Sequence, residues 1–328
     1  MVPGTRILKQ SVKMKTRCLV PALALALLAT VSATSCRHKD IECPGTTQGI
    51  HVLFEWDRSA GAQVAGMTLY FYPLDSHSRT WRFDITGRDG GHVELPPGRY
   101  RLIACNNDLP GIALEDTGSP ESIIAAARRQ TDPGVYTTTG MLYGGTVQDL
   151  EVTPCGVRYV TESGTVKECG QGLVRCHPDS LATQYTVILR NVNGMRHVRS
   201  ANAILKGTRR AIYLGSHIPT DTPTALAMRM DLDNSNALMT AGGCAFAPLD
   251  AAQAHYTLSL QVVKTNGKGM ARDIEVRPGD LNCITGHNVI ITIDGIEIPD
   301  DSPGDIGGID VDVDGWDVVN IDVEPSIR

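Results

Sequence analysis

Residues 256–276 decide the fold class of this chain. They read Tyr256-Thr-Leu-Ser-Leu-Gln-Val-Val263, then Lys-Thr-Asn266-Gly267-Lys-Gly, then Met270-Ala-Arg-Asp-Ile-Glu-Val276. Apolar residues of the first run alternate with polar ones, which is typical of a half-buried strand. The Asn-Gly step supplies the positive φ angles that a two-residue hairpin turn requires. The stretch therefore predicts a β-hairpin.

Similar short runs fill most of the chain before residue 154 and after residue 178. The first series comprises Ile50–Trp56, Met67–Tyr72, Trp81–Ile85, His92–Leu95, Arg99–Ala104 and Thr146–Val152. The second comprises Gln184–Leu189, Ser200–Leu205, Ala211–Leu214, Thr224–Leu232, Ala237–Thr240, the 256–276 hairpin and His287–Asp294. About seven short strands with frequent turns are typical of a β-sandwich. The sequence predicts an all-β protein with two tandem β-sandwich domains.

The predicted domain boundaries lie where the pattern of short alternating strands is interrupted. Glycines and a proline interrupt every apolar run of residues 154–178, which favours a linker or long loop. The predicted divisions are a signal peptide at 1–35, an N-terminal sandwich at 36–153, the linker at 154–178, a C-terminal sandwich at 179–298 and an acidic tail at 299–328. One helix is predicted, from Ser119 to about Gln130, because a capping serine, a proline and an early acid open that run.

The first 35 residues are typical of a secretory signal. They hold five basic residues and no acidic one, and a 14-residue apolar run, Cys18–Val31, follows the basic start. A membrane-spanning helix needs about 20 apolar residues, so a permanent span is not expected. Met14 is the expected start, because the two basic residues after it already supply the charge.

Cys36 is the predicted lipidation site, because it follows three small residues as in a bacterial lipobox. Ala33 and Ser35 depart from the usual branched residue at −3 and the usual Gly or Ala at −1. The alternative is cleavage after Ala33, which would release a soluble secreted protein. Without the signal, 25 basic residues remain against 36 acidic ones, a net charge of −11. No concentrated basic face is present, so nucleic acid is not an expected partner.

Three cysteines are candidates for disulfide bonds: Cys155, Cys169 and Cys176. Export permits disulfides, but the sequence does not fix their pairing. Zinc binding by Cys169, Cys176 and His177 is a weaker alternative, because the compact paired spacing of a zinc site is missing.

No catalytic motif is visible in the sequence. Nucleophile-elbow, zinc-protease, Walker and dinucleotide signatures are all absent, so neither an enzyme nor a cofactor is expected. A glycosidase pair of distant carboxylates stays open as an alternative. Asp310-Val-Asp312-Val-Asp314-Gly315 is similar to the start of a calcium loop, but position 12 of that loop would be Ile321 instead of an acid. We therefore predict no metal site, and an acidic-faced strand there instead.

The tail carries nine acidic residues and one basic residue. A Gly-rich spacer, Pro299–Gly308, precedes the run Trp316-Asp-Val-Val-Asn-Ile-Asp-Val323. This run is predicted to be a terminal strand, with Trp316, Val318, Ile321 and Val323 as its apolar residues.

Several of these segments, in order, resemble fimbrillin-like lipoproteins of Bacteroidetes. The segments are Cys36–Asp40, Val52–Asp57, Gly66–Pro73, Phe83–Gly91, Leu95–Tyr100, Cys105–Asp108, Tyr185–Val192, His287–Pro299 and Gly315–Val323. The resemblance implies two transthyretin-like sandwiches held at the outer membrane by lipid on Cys36, facing either the periplasm or the outside.

It also implies a role as a fimbrial anchor, accessory or adhesion subunit. Relatives join one another by strand addition, in which an extended segment pairs with an exposed sheet edge. The terminal strand would then either close its own sheet, which is favoured, or reach a neighbour. The rival hypothesis is a surface glycan-binding lipoprotein, with Trp56, Trp81 or Trp316 as a sugar platform.

Overall fold

The computed structural model describes residues 47–75, 79–128, 134–161, 163–170, 172–251, 254–285 and 287–300. In these ranges the chain forms 23 strands and two short 3-10 helices, Met195–His197 and Pro278–Asp280. The predicted all-β class is confirmed.

The strands before residue 177 are β1 (Gln48–Phe54), β2 (Gly66–Pro73), β3 (Trp81–Thr86), β4 (Gly90–Leu95), β5 (Gly98–Asn106), β6 (Ile112–Glu115), β7 (Ile124–Ala127), β8 (Val135–Thr137), β9 (Tyr143–Thr153), β10 (Gly156–Val160), β11 (Val166–Cys169) and β12 (Leu173–Cys176). The later ones are β13 (Asp179–Ser180), β14 (Thr183–Arg190), β15 (Val198–Arg209), β16 (Ala211–Tyr213), β17 (Pro223–Arg229), β18 (Asp231–Asp233), β19 (Leu238–Ala245), β20 (Thr257–Lys264), β21 (Gly269–Glu275), β22 (Leu281–Thr285) and β23 (Asn288–Asp294).

The same strand connections occur twice. In the N-terminal half, residues 47–176, the first strand β1 pairs antiparallel with β4 and parallel with the last strand β12. In the C-terminal half, residues 183–300, the first strand β14 pairs antiparallel with β19 and parallel with the last strand β23. Each half adds a facing sheet, ordered β11-β10-β9-β5-β2-β3 in the first and β21-β20-β15-β17-β8 in the second. The repeat explains the two strand series in the sequence.

Each half buries its own hydrophobic core. One core holds β1 and β5 residues such as Val52 and Leu102, and the other holds β14 and β23 residues such as Val187 and Ile291. Alternation decides this arrangement, because every second side chain of β1, β14 and β23 points inward.

The two halves also share strands and a third core. The β5–β9 connection carries β7, which pairs with β16, and β8, which pairs in parallel with β17. Tyr72 and Ile103 of the N-terminal half pack with Ile212 and Phe246 of the C-terminal half in one buried cluster. The position of the domain boundary stays a prediction, and the strand exchange shows that the halves are interlocked.

The predicted helix from Ser119 to Gln130 is wrong over its described residues. The Ser119 side chain accepts a hydrogen bond from the Ser122 N–H at 3.1 Å, but this closes a turn. Ile124–Ala127 is then strand β7, with all four residues buried between β6 and β16. A short apolar run bounded by turns does not distinguish helix from strand, and the neighbouring strands decided the outcome.

Residues 154–178 are not the loop that their glycines suggested, because they contain β10, β11 and β12. Gly156, Gly164 and Gly172 have positive φ angles of 137°, 78° and 66° and lie at the ends of these short strands. Glycine supplies such angles without steric cost. The glycines therefore mark tight turns between strands.

Candidate functional site: the strands at the two chain ends

Two parallel strand pairs carry the ends of the described chain. We call β1 with β12 the N-terminal pair and β14 with β23 the C-terminal pair. In the N-terminal pair, four residues from His51 to Phe54 lie opposite Leu173 to Cys176. The His51 N–H donates to the Gly172 carbonyl at 2.8 Å, and the Glu55 N–H donates to the Cys176 carbonyl at 2.9 Å.

A group of charged side chains lies where the N-terminal pair ends. We call Glu55, Asp57, Arg175 and His177 the charge cluster. Arg175 forms an ion pair with Glu55, while His177 Nε2 lies 3.4 Å from a Glu55 oxygen and His177 Nδ1 lies 3.1 Å from Asp57 Oδ1. The hydrogen bond with His177 lowers the pKa of Asp57 below its usual value, because it stabilises the carboxylate. The cluster ties the chain beyond β1 to β12 and its C-terminal extension.

The C-terminal pair is longer. Seven residues from Gln184 to Arg190 lie opposite Asn288 to Asp294. The contact continues past the strands, since the Asn193 N–H donates to the Ile296 carbonyl at 2.8 Å and the Ile298 N–H donates to the Asn193 carbonyl at 3.0 Å. Ile296 and Ile298 are buried in the C-terminal core. The chain is therefore held up to residue 298.

The last described residues are held at the same end of this half. The buried Lys264 ammonium donates to the Pro299 carbonyl at 3.0 Å. Asp300 Oδ2 lies 3.8 Å from His197 Nε2. The tail therefore starts beside the β20–β21 turn.

Two neighbouring edge strands of the C-terminal half lie on the side where the described chain ends. These are β21 and β22, which end the two five-stranded sheets and are joined by residues 276–280. Met270, Ile274, Val276 and Leu281 are partly buried against the core along this side. Arg272 and Asp273 are exposed on β21. Charged residues on an edge strand oppose unselective pairing, and the apolar residues offer a surface to an added strand.

The structure describes only some of the predicted site residues. Cys36, Trp316, Val318, Ile321 and Val323 lie outside the described residues. Cys155 is an exposed free thiol in the β9–β10 turn, and Cys169 is a half-buried free thiol at the end of β11. Cys176 is buried in β12. Disulfide formation by Cys155, Cys169 and Cys176 stays a prediction, with its pairing open.

The tryptophans described here do not form a sugar platform. Trp56 is only 8% exposed, and its indole N–H donates to the Arg88 carbonyl at 2.8 Å. Trp81 packs partly against the N-terminal core, and the Arg79 guanidinium covers its ring at 4.2 Å. Both rings serve packing and cation–π contacts. Trp316 lies outside the described residues.

One concavity of about 500 Å³ lies on the 60–65 loop. Its lining consists of residues 60–65 and Arg88, whose guanidinium donates to the Ala60 and Ala62 carbonyls at 3.0 Å each. No carboxylate lines it. Within the described ranges, no three His, Cys, Asp or Glu side chains are grouped to hold a metal ion. None of the helical segments in the same ranges has the length and apolar character of a membrane span.

Comparison with known proteins gives the family. Residues 35–229 match the family model described as "Domain of unknown function (DUF5119)". The chain belongs to this family. It is also 27% identical over 120 residues to a Bacteroides ovatus protein named as a fimbrium anchoring subunit, Fim4B, and the alignment spans 36% of each chain. The predicted relationship to fimbrial proteins of Bacteroidetes is confirmed.

A solved crystal structure shares the fold. A Bacteroides ovatus crystal structure described as an adhesin superposes with a TM-score of 0.62 at 19% identity, over 81% of this chain and 97% of the other. The fimbrial anchor protein Mfa2 from Porphyromonas gingivalis has a TM-score of 0.49 at 14% identity, over 76% and 90% of the two chains.

Sequence reasoning missed the charge cluster. Glu55 and Arg175 are 120 residues apart, and nothing in either local pattern indicates the other. The only available signal was the similarity of the two strand series, which suggests that the first and last strands of each half have related positions.

Proposed function

We propose that this chain is a lipid-anchored protein of the bacterial cell envelope that serves as a fimbrial anchor or accessory subunit. The similarity to Fim4B carries the proposal, since that relative is named for fimbrium anchoring. The fold shared with an adhesin supports it. The chain has no catalytic role in this proposal, and the concavity on the 60–65 loop offers no carboxylate for one.

Attachment occurs through lipid on Cys36 at the outer membrane, on its periplasmic or outer side. Two or more acyl chains give stable anchoring, where one gives only marginal binding. Ten residues lie between Cys36 and Thr47, where the described fold begins. An extended chain of that length reaches at most roughly 40 Å, so the N-terminal half stays close to the membrane.

A fimbrial partner joins the C-terminal side by strand addition. Residues 301–315 separate Asp300 from Trp316 and reach at most roughly 50 Å when extended. The strand Trp316–Val323 is therefore able to return to the edge strands β21 and β22 or to reach a neighbouring subunit. Closure of its own sheet is favoured in the isolated chain, because the tether raises the local concentration of the strand.

Membrane fractionation of two cysteine variants tests the lipid anchor. Cys36→Ala should move the protein from the membrane fraction to the soluble one. Cys155→Ala is the matched control, because it removes an exposed cysteine elsewhere and should leave the protein on the membrane. Unchanged membrane retention of the Cys36→Ala protein would contradict a lipid anchor on Cys36.

Affinity purification from envelope fractions tests the fimbrial role. The wild-type chain should retain fimbrial subunits, and replacing Ile321 and Val323 by Asp should weaken that retention if the terminal strand makes the contact. Purification without any fimbrial subunit from cells that produce fimbriae would contradict the proposed function.

A further inference from the structure

The chain enters and leaves the two halves in the same way. The described chain begins with β1 and leaves the N-terminal half at the end of β12. It enters the C-terminal half at the start of β14 and leaves after β23. In both halves the first and last strands are therefore direct neighbours, and they run parallel.

This arrangement determines how tension between the chain ends acts. Tension pulls β1 at its start and β12 at its end, and it pulls β14 at its start and β23 at its end. Parallel neighbours pulled at opposite ends must slide past each other. The hydrogen bonds of the ladder run across the strands, so they carry the load together and break together. A hairpin pulled open at its free ends loses its bonds one after another.

We propose that the N-terminal and C-terminal pairs are two mechanical clamps in series, which let the chain carry tension between its N-terminal attachment and a partner bound on its C-terminal side. The idea rests on the proposed function, because tension requires attachment at both ends. A tethered fimbria under fluid flow supplies such a load.

Buried side chains oppose sliding in both pairs. Val52 and Phe54 of β1 point into the N-terminal core beside Val174 of β12. A shift of one residue would turn these side chains to the opposite face of the sheet. In the C-terminal pair Val187 and Ile291 are likewise fully buried, so sliding there also removes apolar surface from the core.

The charge cluster adds resistance to the shorter clamp. Load moves β1 towards its N-terminal end and β12 towards its C-terminal end. This motion separates Glu55 from His177, which follows Cys176 in the strand register and whose Nε2 lies 3.4 Å from Glu55 Oε2. Arg175 lies opposite Leu53, two positions behind Glu55, so the first steps of sliding bring Glu55 and Arg175 level. The contact between Glu55 and His177 therefore opposes the direction in which the clamp fails.

The connection between the clamps is itself fixed. Strand β13 pairs with β9, and the Leu181 N–H donates to the Leu142 carbonyl at 2.8 Å. In the C-terminal clamp the Gln184 N–H donates to the His287 carbonyl at 2.8 Å, and the Gly295 N–H donates to the Arg190 carbonyl at 3.0 Å. Seven residue pairs there against four in the N-terminal clamp make the N-terminal clamp the first to fail.

Single-molecule pulling on the full soluble chain, carrying Cys36→Ala, tests the proposal. In the first geometry, handles ligated to the two chain ends load both clamps. In the second, one handle is inserted at the Asn266-Gly267 turn and the other stays at the C-terminus. The turn and Pro299 lie at the same end of the C-terminal half, as the contact between Lys264 and Pro299 shows, so a load that enters the fold at these two points peels strands apart.

At equal pulling speed the end-to-end geometry should break at the higher force. The first rupture should release residues between β1 and β12, which amount to at most roughly 40 nm of extended chain. An equal or lower force in the end-to-end geometry would overturn the clamp, and so would a first rupture that releases only the C-terminal half.

Two surface variants test the part played by the charge cluster. His177→Ala should lower the force of the first rupture. Asp273→Ala removes the 2.9 Å ion pair with Lys206, which lies outside both clamps, and should leave that force unchanged. Equal first-rupture forces in the two variants would show that the charge cluster does not contribute to the resistance of the N-terminal clamp.

These results are independent of any partner, because the force is measured on the isolated chain. An end-to-end rupture force that is no higher than the force in the second geometry overturns the clamp, even if fimbrial subunits are retained in the purification. Loss of the fimbrial partners contradicts the proposed function and leaves the measured force as it is.

Discussion

The N-terminal and C-terminal pairs have the same topology but are held in different ways. The C-terminal pair has seven residue pairs and is prolonged by the buried residues Ile296 and Ile298. The N-terminal pair has four, and charged side chains rather than apolar ones continue the contact beyond its strands. The same strand connection is therefore stabilised by strand length and burial in one half and by surface charges in the other. Stability of the first kind is insensitive to pH, and the second kind is not.

The largest expected effect comes from the core of the C-terminal pair. Ile291 is fully buried in β23, so Ile291→Ala should lower the free energy of unfolding by about 2–5 kcal/mol through lost burial and the remaining cavity. Denaturant unfolding measures it. Ile290→Ala is the matched control on the other, half-buried face of the strand, and it should cost less. Equal losses of unfolding free energy in Ile291→Ala and Ile290→Ala would mean that burial of Ile291 does not stabilise the C-terminal pair.

A second comparison uses one glycine next to each pair. A Cβ on Gly172 would lie 2.8 Å from the Gly49 carbonyl oxygen, and a Cβ on Gly194 would collide with the Ile298 carbonyl oxygen. Gly172→Ala and Gly194→Ala should therefore displace the partner segment of the N-terminal and C-terminal pair, respectively.

The Gly267→Ala variant is the control for these two. Gly267 also has a positive φ, of 86°, but nothing lies within 4 Å of its added Cβ. This variant should cost only the conformational strain, roughly 1–2 kcal/mol in denaturant unfolding. The other two should cost more, and equal losses for all three would contradict the close approach of the strands.

The pH dependence separates the two pairs. The hydrogen bond with His177 lowers the pKa of Asp57 from its ordinary value of 3.8, so His177→Ala should raise it back towards that value. NMR titration of the Asp57 carboxyl group measures this. A lowered pKa stabilises the fold above pH 3.8, and this contribution is lost as the pH falls through the folded-state pKa. An Asp57 pKa that does not change in His177→Ala would contradict the contact.

The smallest expected effect is a change in thiol reactivity. Cys176 is 1% exposed in β12, so its alkylation requires local opening of the N-terminal pair. Exposed Cys155 should react at once and serve as an internal reference. Cys105 should stay unreactive until global unfolding, because burial raises its pKa to about 12.

His177→Ala should increase the alkylation rate of Cys176 and leave that of Cys155 unchanged. An unchanged Cys176 rate would show that the charge cluster does not keep the N-terminal pair closed.

Local sequence pattern predicted the strands but not their partners. Alternation in Ile50–Trp56 and His287–Asp294 was enough to predict β1 and β23, because every second side chain enters a core. It failed at Ile124–Ala127, where four consecutive buried residues have no period. The glycines of residues 154–178 led to the wrong prediction of a linker or long loop for another reason. Tight turns and linkers both require backbone freedom, so glycine occurs in both.

The contacts of the candidate site could not be predicted from the sequence, for a physical reason. Parallel pairing joins residues more than 100 positions apart, as in Leu53 opposite Arg175. No local propensity encodes such a contact, and the charge cluster forms only after both strands are in place. Lipidation at Cys36 stays a prediction, made from the linear pattern of a signal peptide.

The most direct measurement of the central claim is the distribution of fimbrial protein between cells and medium in a strain whose only copy carries Cys36→Ala. An anchor that has lost its lipid no longer holds fimbriae to the envelope. We expect the fimbrial protein to move from the cell fraction to the medium, while the Cys155→Ala strain keeps it on the cells. Fimbriae that stay on cells releasing the Cys36→Ala protein would contradict the anchoring role.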